Sequence, residues 1–272
     1  MRRARAFAKI NLALAVGPLR TDGKHEVMTV LQRIDLHDDV TLDLSDGLVV
    51  EGFSDDTIVR AALEALARTA RVEPHWRVRI DKRIPVAAGL GGGSTNAAAA
   101  LALASSELDV PLSLDELHRV AAGIGADVPF FLRAGSQLGT GDGGELEAVD
   151  LPTDYHVLLA LPKGDLKSST AAVYREFDER DGSAGFRERA AQLRRSLEAV
   201  STADDLAGLP PNDLVSSPIA AELLDAGAFR ADVSGAGPTV YGLFERRIDA
   251  TEAQRSLEPT GWTALVRPIS VN

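Results

Sequence analysis

Residues Pro85–Ala104 read PVAAGLGGGSTNAAAALALA. Gly89, Gly91, Gly92 and Gly93 stand directly before Ser94, Thr95 and Asn96, and a run of alanine follows. Glycine is the costliest residue to order in a helix and alanine the cheapest. Back to back, they suit a tight bend that feeds a helix start. Ahead of them, HWRVRIDKRIP alternates as a strand, with Trp76, Val78 and Ile80 on one side. Strand, glycine bend and helix start together make a recipe for holding an anion. Glycines let the backbone approach it and aim N–H groups at it. The helix N-terminus adds its unbonded donors and a partial positive charge.

Three phosphate-loop patterns fail here. No lysine follows the glycines, so the Walker pattern is absent. Ser94 stands where the dinucleotide pattern needs its last glycine. The later His-Arg-Asp and Asp-Phe-Gly partners of a protein-kinase loop are missing. A glycine cluster can also be only a turn packed on a sheet. Four glycines followed by three capping-type residues argue for the anion cradle instead.

The chain has 272 residues, enough for one large domain or two modest ones. With 45% hydrophobic and 25% charged residues, it has an ordinary globular balance and needs no staple to hold a core. It contains no cysteine, which excludes disulfides, zinc–thiolate sites and cysteine nucleophiles and fits a reducing compartment such as the cytoplasm. A net charge of -11 argues against general nucleic-acid binding. An anionic substrate would have to meet local positive potential from backbone N–H groups, a few lysines or a bound cation. MRRARAFAKINLALAVGP has the outline of a signal peptide, but Lys9 and Asn11 interrupt its apolar stretch and Phe7–Val16 reads better as a strand. No segment approaches the ~20 apolar residues of a membrane helix, and no membrane partner is expected.

Beyond that strand, GPLRTDGKHE reads as a loop, and VMTVLQRIDLHDDVTLDLS as strands around a turn at His37–Asp39. Ile58–Arg71 has helical spacing, and a helix is expected from about Asn96 to Leu108. Ser113 with Glu116 three residues later forms a capping box, and Gly125 is the expected stop of that helix. ADVPFFLRAGSQLGTGDGGELEAVDLP reads as a loop and a hairpin, with GTGDGGE as the hairpin turn. A second half begins near Leu151 with the strand YHVLLALP, the helices SSTAAVYREFDER and RERAAQLRRSLEAV, and a loop and helix in PPNDLVSSPIAAELLDAGA. ADVSGAGPTVYGLFE reads as strand, glycine turn and strand, and WTALVRPIS as a last strand. The class is α+β, with two lobes meeting near residue 150.

PVAAGLGGGSTNAAAAL resembles the P-x-x-x-G-L-G-G-G-S-S loop of the GHMP kinases, small-molecule kinases unrelated in fold to protein kinases. FAKINLALAV resembles their first motif and SGAGPTVYGLF their last, and the three occur in family order along nearly the whole chain. AKINLALAVGPLRTDGKHEVMTVLQRIDLHD and IGADVPFFL are similar to one branch, whose acceptor carries a cytidine diphosphate group. The resemblance implies a two-lobed GHMP kinase fold. Residues 1–150 would form an N-terminal α/β lobe with a left-handed βαβ unit, and residues 151–272 a ferredoxin-like C-terminal lobe. It also implies direct transfer of a phosphoryl group from ATP to a hydroxyl, in a monomer or homodimer. ATP would be held by Pro85, Val86, Ala87, Ala88, Gly89, Leu90, Gly91, Gly92, Gly93, Ser94, Thr95 and Asn96. Mg²⁺ is expected only as the partner of ATP, with Ser94 as its protein ligand.

In this family the aspartate matching Asp127 is taken as the base that accepts the hydroxyl proton. By itself Asp127 is as readily a turn cap. Lys9 carries over as the second catalytic residue, lowering the hydroxyl pKa or holding Asp127 ionised. A strand lysine facing solvent is the plain alternative. Asn11 shares its face and suits a substrate hydroxyl. The resemblance gives His25 the cytosine ring. The family usually has tyrosine where this chain has Lys24, and Lys24 can offer the base only its alkyl stem or contact a phosphate. Tyr174 is the candidate for the other wall, with helix packing as its alternative role. Two other functions compete: a GHMP kinase for a mevalonate- or homoserine-like alcohol, and a non-catalytic nucleotide-binding module.

Overall fold

A computed structural model of the chain describes residues 1–52, 57–164 and 169–270. The chain packs as two compact units that interleave in sequence. The first comprises Met1–Ala8, Leu36–Val86 and Gly91–Ala134, and the second Lys9–Asp35, Ala87–Leu90 and Gly135–Asn272. Two long strands, β1 (Arg2–Leu19) and β2 (His25–Leu44), pair with each other and give residues to both units. For that reason neither unit is one continuous stretch of the chain.

β2 corrects the expected turn at His37–Asp39. Its strand runs through those residues unbroken, and Asp38 and Asp39 are buried in it. Aspartates in a row suggest a turn. Here Lys82 and two backbone N–H groups take up both Asp38 oxygens and Arg83 binds Asp39 Oδ2, so no turn is needed.

In the first unit, the end of β2 pairs antiparallel with β4 (Trp76–Asp81), and β3 (Val49–Glu51) pairs parallel with β4. β4 alternates buried and exposed as expected. Among its described residues this unit has four helices: α1 (Thr57–Ala70), α2 (Gly92–Ser105), α3 (Leu114–Ala122) and α4 (Val128–Phe131). Val59, Leu63 and Leu66 of α1 join Ala97, Leu101 and Ala104 of α2 in one core with Val40, Leu42 and Val78 of the sheet. α2 is apolar on nearly every side, and its alanines let α1 and α4 pack closely on it. It starts at Gly92, four residues before the expected Asn96, and it ends at Ser105, short of Leu108. α3 keeps its capping box but stops at Ala122, with Gly123 rather than Gly125 as its cap.

In the second unit, the start of β2 pairs with β5 (Ser136–Thr140), which forms the expected hairpin with β6 (Glu145–Val149). A separate antiparallel sheet has the order β10–β7–β9–β8, built from β7 (His156–Pro162), β8 (Arg230–Val233), β9 (Val240–Phe244) and β10 (Gly261–Val266). Between β7 and β8 come α5 (Thr170–Glu179), α6 (Phe186–Glu198) and α7 (Pro218–Asp225), and between β9 and β10 comes α8 (Arg247–Leu257). Strand–helix–strand–strand–helix–strand in this order is the ferredoxin-like arrangement. Leu158, Val240 and Phe244 of the sheet pack with Leu223 of α7 and Ala250, Ala253 and Leu257 of α8. No helix among the described residues is long and apolar enough to cross a membrane.

Candidate active site

The glycine segment divides between the units. In the first unit, Gly91 caps α2 in the left-handed conformation, with φ of 71°, and no side chain caps the helix. Its N–H groups at Gly92, Gly93 and Ser94 belong to the first turn, which lacks internal partners. That turn also lacks an acidic residue. Asn96 is wholly buried, and neither atom of its amide has a hydrogen-bond partner. Such a group costs about 1–3 kcal/mol when buried unpaired. Pro85 and Val86 lead into this bend from β4, with Val86 exposed. Asp127 occupies the N-cap position of α4, half-buried, and its side chain makes no cap hydrogen bond there.

In the second unit, Ala87–Leu90 lies against the SGAGPT turn. Gly89 has φ of 78°, and a Cβ there would sit 2.3 Å from the Ser234 carbonyl oxygen, so only glycine fits. Thr239 N–H donates to the Ala88 carbonyl at 3.3 Å, and Ser234 Oγ donates to the Gly89 carbonyl at 3.0 Å. Leu90 carbonyl accepts from the Lys9 N–H at 3.0 Å.

Lys9 is buried at 3% exposure, so it is not a solvent-facing strand lysine. Its Nζ donates to Asn11 Oδ1 at 2.6 Å, and Asn11 Nδ2 donates to Thr29 Oγ1 at 2.8 Å. The Thr29 hydroxyl in turn donates a hydrogen bond to the Ala13 carbonyl. The Asn11 N–H donates to Ser234 Oγ at 3.2 Å. A Cβ on Gly235 would lie 3.1 Å from Asn11 Oδ1 and 3.4 Å from Lys9 Nζ, so the turn after β8 passes directly over this pair. Asn212 fixes that turn by donating to the Val233 and Gly235 carbonyls. The network orients the ammonium through a chain of satisfied groups.

His25 is buried, not a surface residue. Its Nδ1 lies 2.8 Å from the Gly17 carbonyl, and its ring packs on Tyr174 with centroids 4.9 Å apart and edge-on to Phe177. Lys24 turns elsewhere and pairs with Asp142 in the β5–β6 turn at 2.5 Å. Burial pushes the Asp142 carboxyl up. The Lys24 hydrogen bond, the Gly144 N–H and nearby Arg20 outweigh that and hold it below the usual carboxylate range.

The structure thus groups Lys9 with Asn11 and His25 with Tyr174. It sets Lys24 with Asp142. It adds residues that the sequence reading did not assign: Thr29, Ser234 and Asn212 around Lys9, and Asp38 with Lys82 beside α2. Ser234 stood in a recognised motif. Nothing local to Thr29 or Asn212 marks them, because their partners lie far along the chain.

A glycine-capped helix start in one unit and a buried lysine network in the other, on an α+β chain whose second sheet is ferredoxin-like, are features of a GHMP kinase. The family model for the GHMP kinases N terminal domain matches residues 57–135, and the one for the GHMP kinases C terminal matches residues 215–262. The 4-diphosphocytidyl-2-C-methyl-D-erythritol kinase of Salinispora arenicola (strain CNS-205) is 39% identical over 269 residues, covering 91% of this chain and 85% of that protein. Its namesake from Chlorobium phaeobacteroides (strain BS1) is 34% identical, covering 97% and 96%. A crystal structure of 4-(cytidine 5'-diphospho)-2C-methyl-D-erythritol kinase superposes with a TM-score of 0.79 at 26% identity, over 100% of both chains. This chain belongs to the 4-diphosphocytidyl-2-C-methyl-D-erythritol kinase family, and it is an ATP-dependent kinase.

Proposed function

We propose that the chain phosphorylates one hydroxyl of 4-diphosphocytidyl-2-C-methyl-D-erythritol with ATP, a step of the non-mevalonate isoprenoid route. The observation that carries this reading is identity of 34–39% to relatives of that name along more than nine-tenths of the chain. The acceptor oxygen attacks the γ-phosphorus in line, the bond from that phosphorus to the bridging oxygen breaks, and ADP leaves. Asp127 receives the hydroxyl proton. Lys9, oriented by Asn11, lowers the pKa of that hydroxyl. The N–H groups of the Gly89–Asn96 segment hold the phosphates, and Pro85–Ala88 lead into it. His25 and Tyr174 receive the cytosine ring, and Lys24 lies at the edge of that subsite.

The residues present fit Mg²⁺ carried by ATP. Among the described residues no group of three or more His, Asp or Glu could hold a metal ion, whereas Ser94 offers a hydroxyl in the first turn of α2. Mg²⁺, when bound, would neutralise charge on the phosphate oxygens. The lobes run over residues 1–150 and 151–272, the enzyme is cytoplasmic, and it works as a monomer or homodimer without nucleic-acid or membrane partners.

Lys24 favours a second reading, in which the acceptor is another small alcohol such as mevalonate or homoserine, because a lysine engaged by Asp142 supplies no aromatic ring at that position. A phosphoryl-transfer assay over these alcohols and CDP-methylerythritol separates the two. Turnover confined to CDP-methylerythritol, with CDP as a competitive inhibitor, is expected. Turnover of another alcohol and indifference to CDP overturns the assignment, and no turnover with any acceptor points to a nucleotide-binding module.

A further inference from the structure

Asp38 is wholly buried, at 0% exposure. A carboxylate is tolerated there only when its oxygens are hydrogen-bonded and its charge is paired. Its Oδ2 accepts from Lys82 Nζ at 2.6 Å, and its Oδ1 accepts from the N–H groups of Arg83 at 2.7 Å and Ile84 at 2.9 Å. These three residues are the link between β4 and the glycine segment. Lys82 is itself only 17% exposed, and its ammonium lies 3.2 Å from where a Cβ on Gly92 would stand. Gly92 is the first residue of α2, so the ammonium rests over the first turn of that helix. A cation at a helix N-terminus works against the dipole. No acid of that turn compensates it, and the nearby Asp39 is engaged by Arg3 and Arg83. The Asp38 carboxylate is what holds the charge in place.

We propose that Asp38 is a positioning residue for nucleotide binding. It touches no substrate. One oxygen holds the Lys82 ammonium at the mouth of α2, and the other pins the backbone where the glycine segment begins. The ammonium and the helix donors then face an incoming polyphosphate together, with their geometry set beforehand. This inference rests on the glycine segment being the ATP site.

Asp38→Asn separates the two functions, because it keeps an oxygen for the Arg83 and Ile84 N–H groups but removes the charge that holds Lys82. The test measures dissociation constants for ATP by calorimetry and for adenosine by competition, together with kcat and thermal midpoint. The variants are Asp38→Asn, Lys82→Met, Lys82→Arg, the Asp38→Asn/Lys82→Met double variant, and Gly92→Val. Asp38→Asn and Lys82→Met are each expected to weaken ATP ~10-fold, with adenosine affinity and kcat at saturating ATP nearly unchanged. The double variant should be no worse than the poorer single, since both act on one contact, and Lys82→Arg should retain most of the affinity. A lowered midpoint with the wild-type ratio of ATP to adenosine affinity would reduce Asp38 to a structural residue and overturn the proposal. Should Asp38→Asn not fold, the Lys82 pair decides, and equal ATP affinity in Lys82→Met and wild type overturns it. Gly92→Val keeps the two claims apart. If it leaves ATP affinity unchanged, the ATP-site reading falls; if it alone weakens ATP, only the role of Asp38 falls.

Discussion

Two helices of the first unit begin in opposite ways. α3 opens at Ser113, whose hydroxyl accepts from the Glu116 N–H while the Glu116 carboxylate accepts from the Ser113 N–H. Asp115 and Glu116 add two negative charges to its first turn. α2 opens at Gly91 with neither a cap nor an acid. In the second unit α5 and α7 are capped by Ser169 and Ser217, and α6 and α8 carry Glu188 and Asp249 in their first turns. A helix start sealed from within is finished as structure. One left unsealed keeps its donors for an anion from outside. The difference separates a helix end made for stability from one made for binding, and it can be tested from both sides.

The largest effect belongs to the carboxylate at a third helix start. Asp127 stands at the N-cap of α4 without capping it, and we assign it to proton transfer. Asp127→Asn should lower kcat ~10²–10⁴-fold and leave ATP affinity and thermal midpoint nearly unchanged. A normal kcat in steady-state assays would remove it from the reaction and make it an ordinary turn residue. Next comes sealing α2. Ser94 is its third residue, the place that Glu116 holds in α3. Ser94→Glu should raise the thermal midpoint, because a first-turn carboxylate stabilises a helix by ~0.3–1 kcal/mol. The same charge, facing the phosphates, should weaken ATP ~10²-fold. Ser94→Ala is the control for loss of the hydroxyl, and calorimetry with ATP reads both. An ATP affinity in Ser94→Glu equal to that of Ser94→Ala would mean that no anion docks at this helix end.

The same contrast explains what could be read from the chain. A capping box is local, so Ser113 and Glu116 announced α3 at once. The glycine loop is local too, and its motif carried the family. The boundary of α2 is not legible because glycine is a poor helix former, yet the helix, packed through Ala97, Leu101 and Ala104, begins at Gly92. Asp38 and Asp39 read as a turn because their partners Lys82, Arg83 and Ile84 lie 44 to 46 residues further along. α8 escaped notice because its buried face is made of Ala250, Ala253 and Leu257, too small to stand out as a periodic stripe. The side chains around Lys9 were hidden for the same reason as Asp38, with Asn11 bonded to a residue 223 positions away. Sequence shows what a few neighbouring residues can build alone, and long-range hydrogen bonds are not of that kind.

Ser113→Ala approaches the comparison from the sealed side. It should cost ~1 kcal/mol of stability in urea unfolding, the usual worth of a serine cap, with kcat and ATP affinity as in wild type. A change in ATP affinity would mean that α3 is not a purely structural element.

The smallest effect concerns a sealed anion site in the second unit. Asp205 Oδ2 accepts from the N–H groups of Ser201 and Thr202 and from both their hydroxyls. It is an internal copy of what α2 would offer a phosphate, with the anion supplied by the chain. Those hydrogen bonds, the backbone pair first, pull the Asp205 carboxyl down to about 2. A carboxyl lowered in the folded state adds stability that is fully present above its unfolded value, near 3.8, and is lost as pH falls through about 2. Urea midpoints of wild type and Asp205→Asn should therefore differ at pH 5 and converge as the pH is lowered from about 4 toward 2. A gap that stays constant across that window would show that the amide serves these donors as well as the carboxylate does. In that case a neutral oxygen is enough for a nest of N–H groups, and charge would matter less at α2 than the Ser94→Glu comparison assumes.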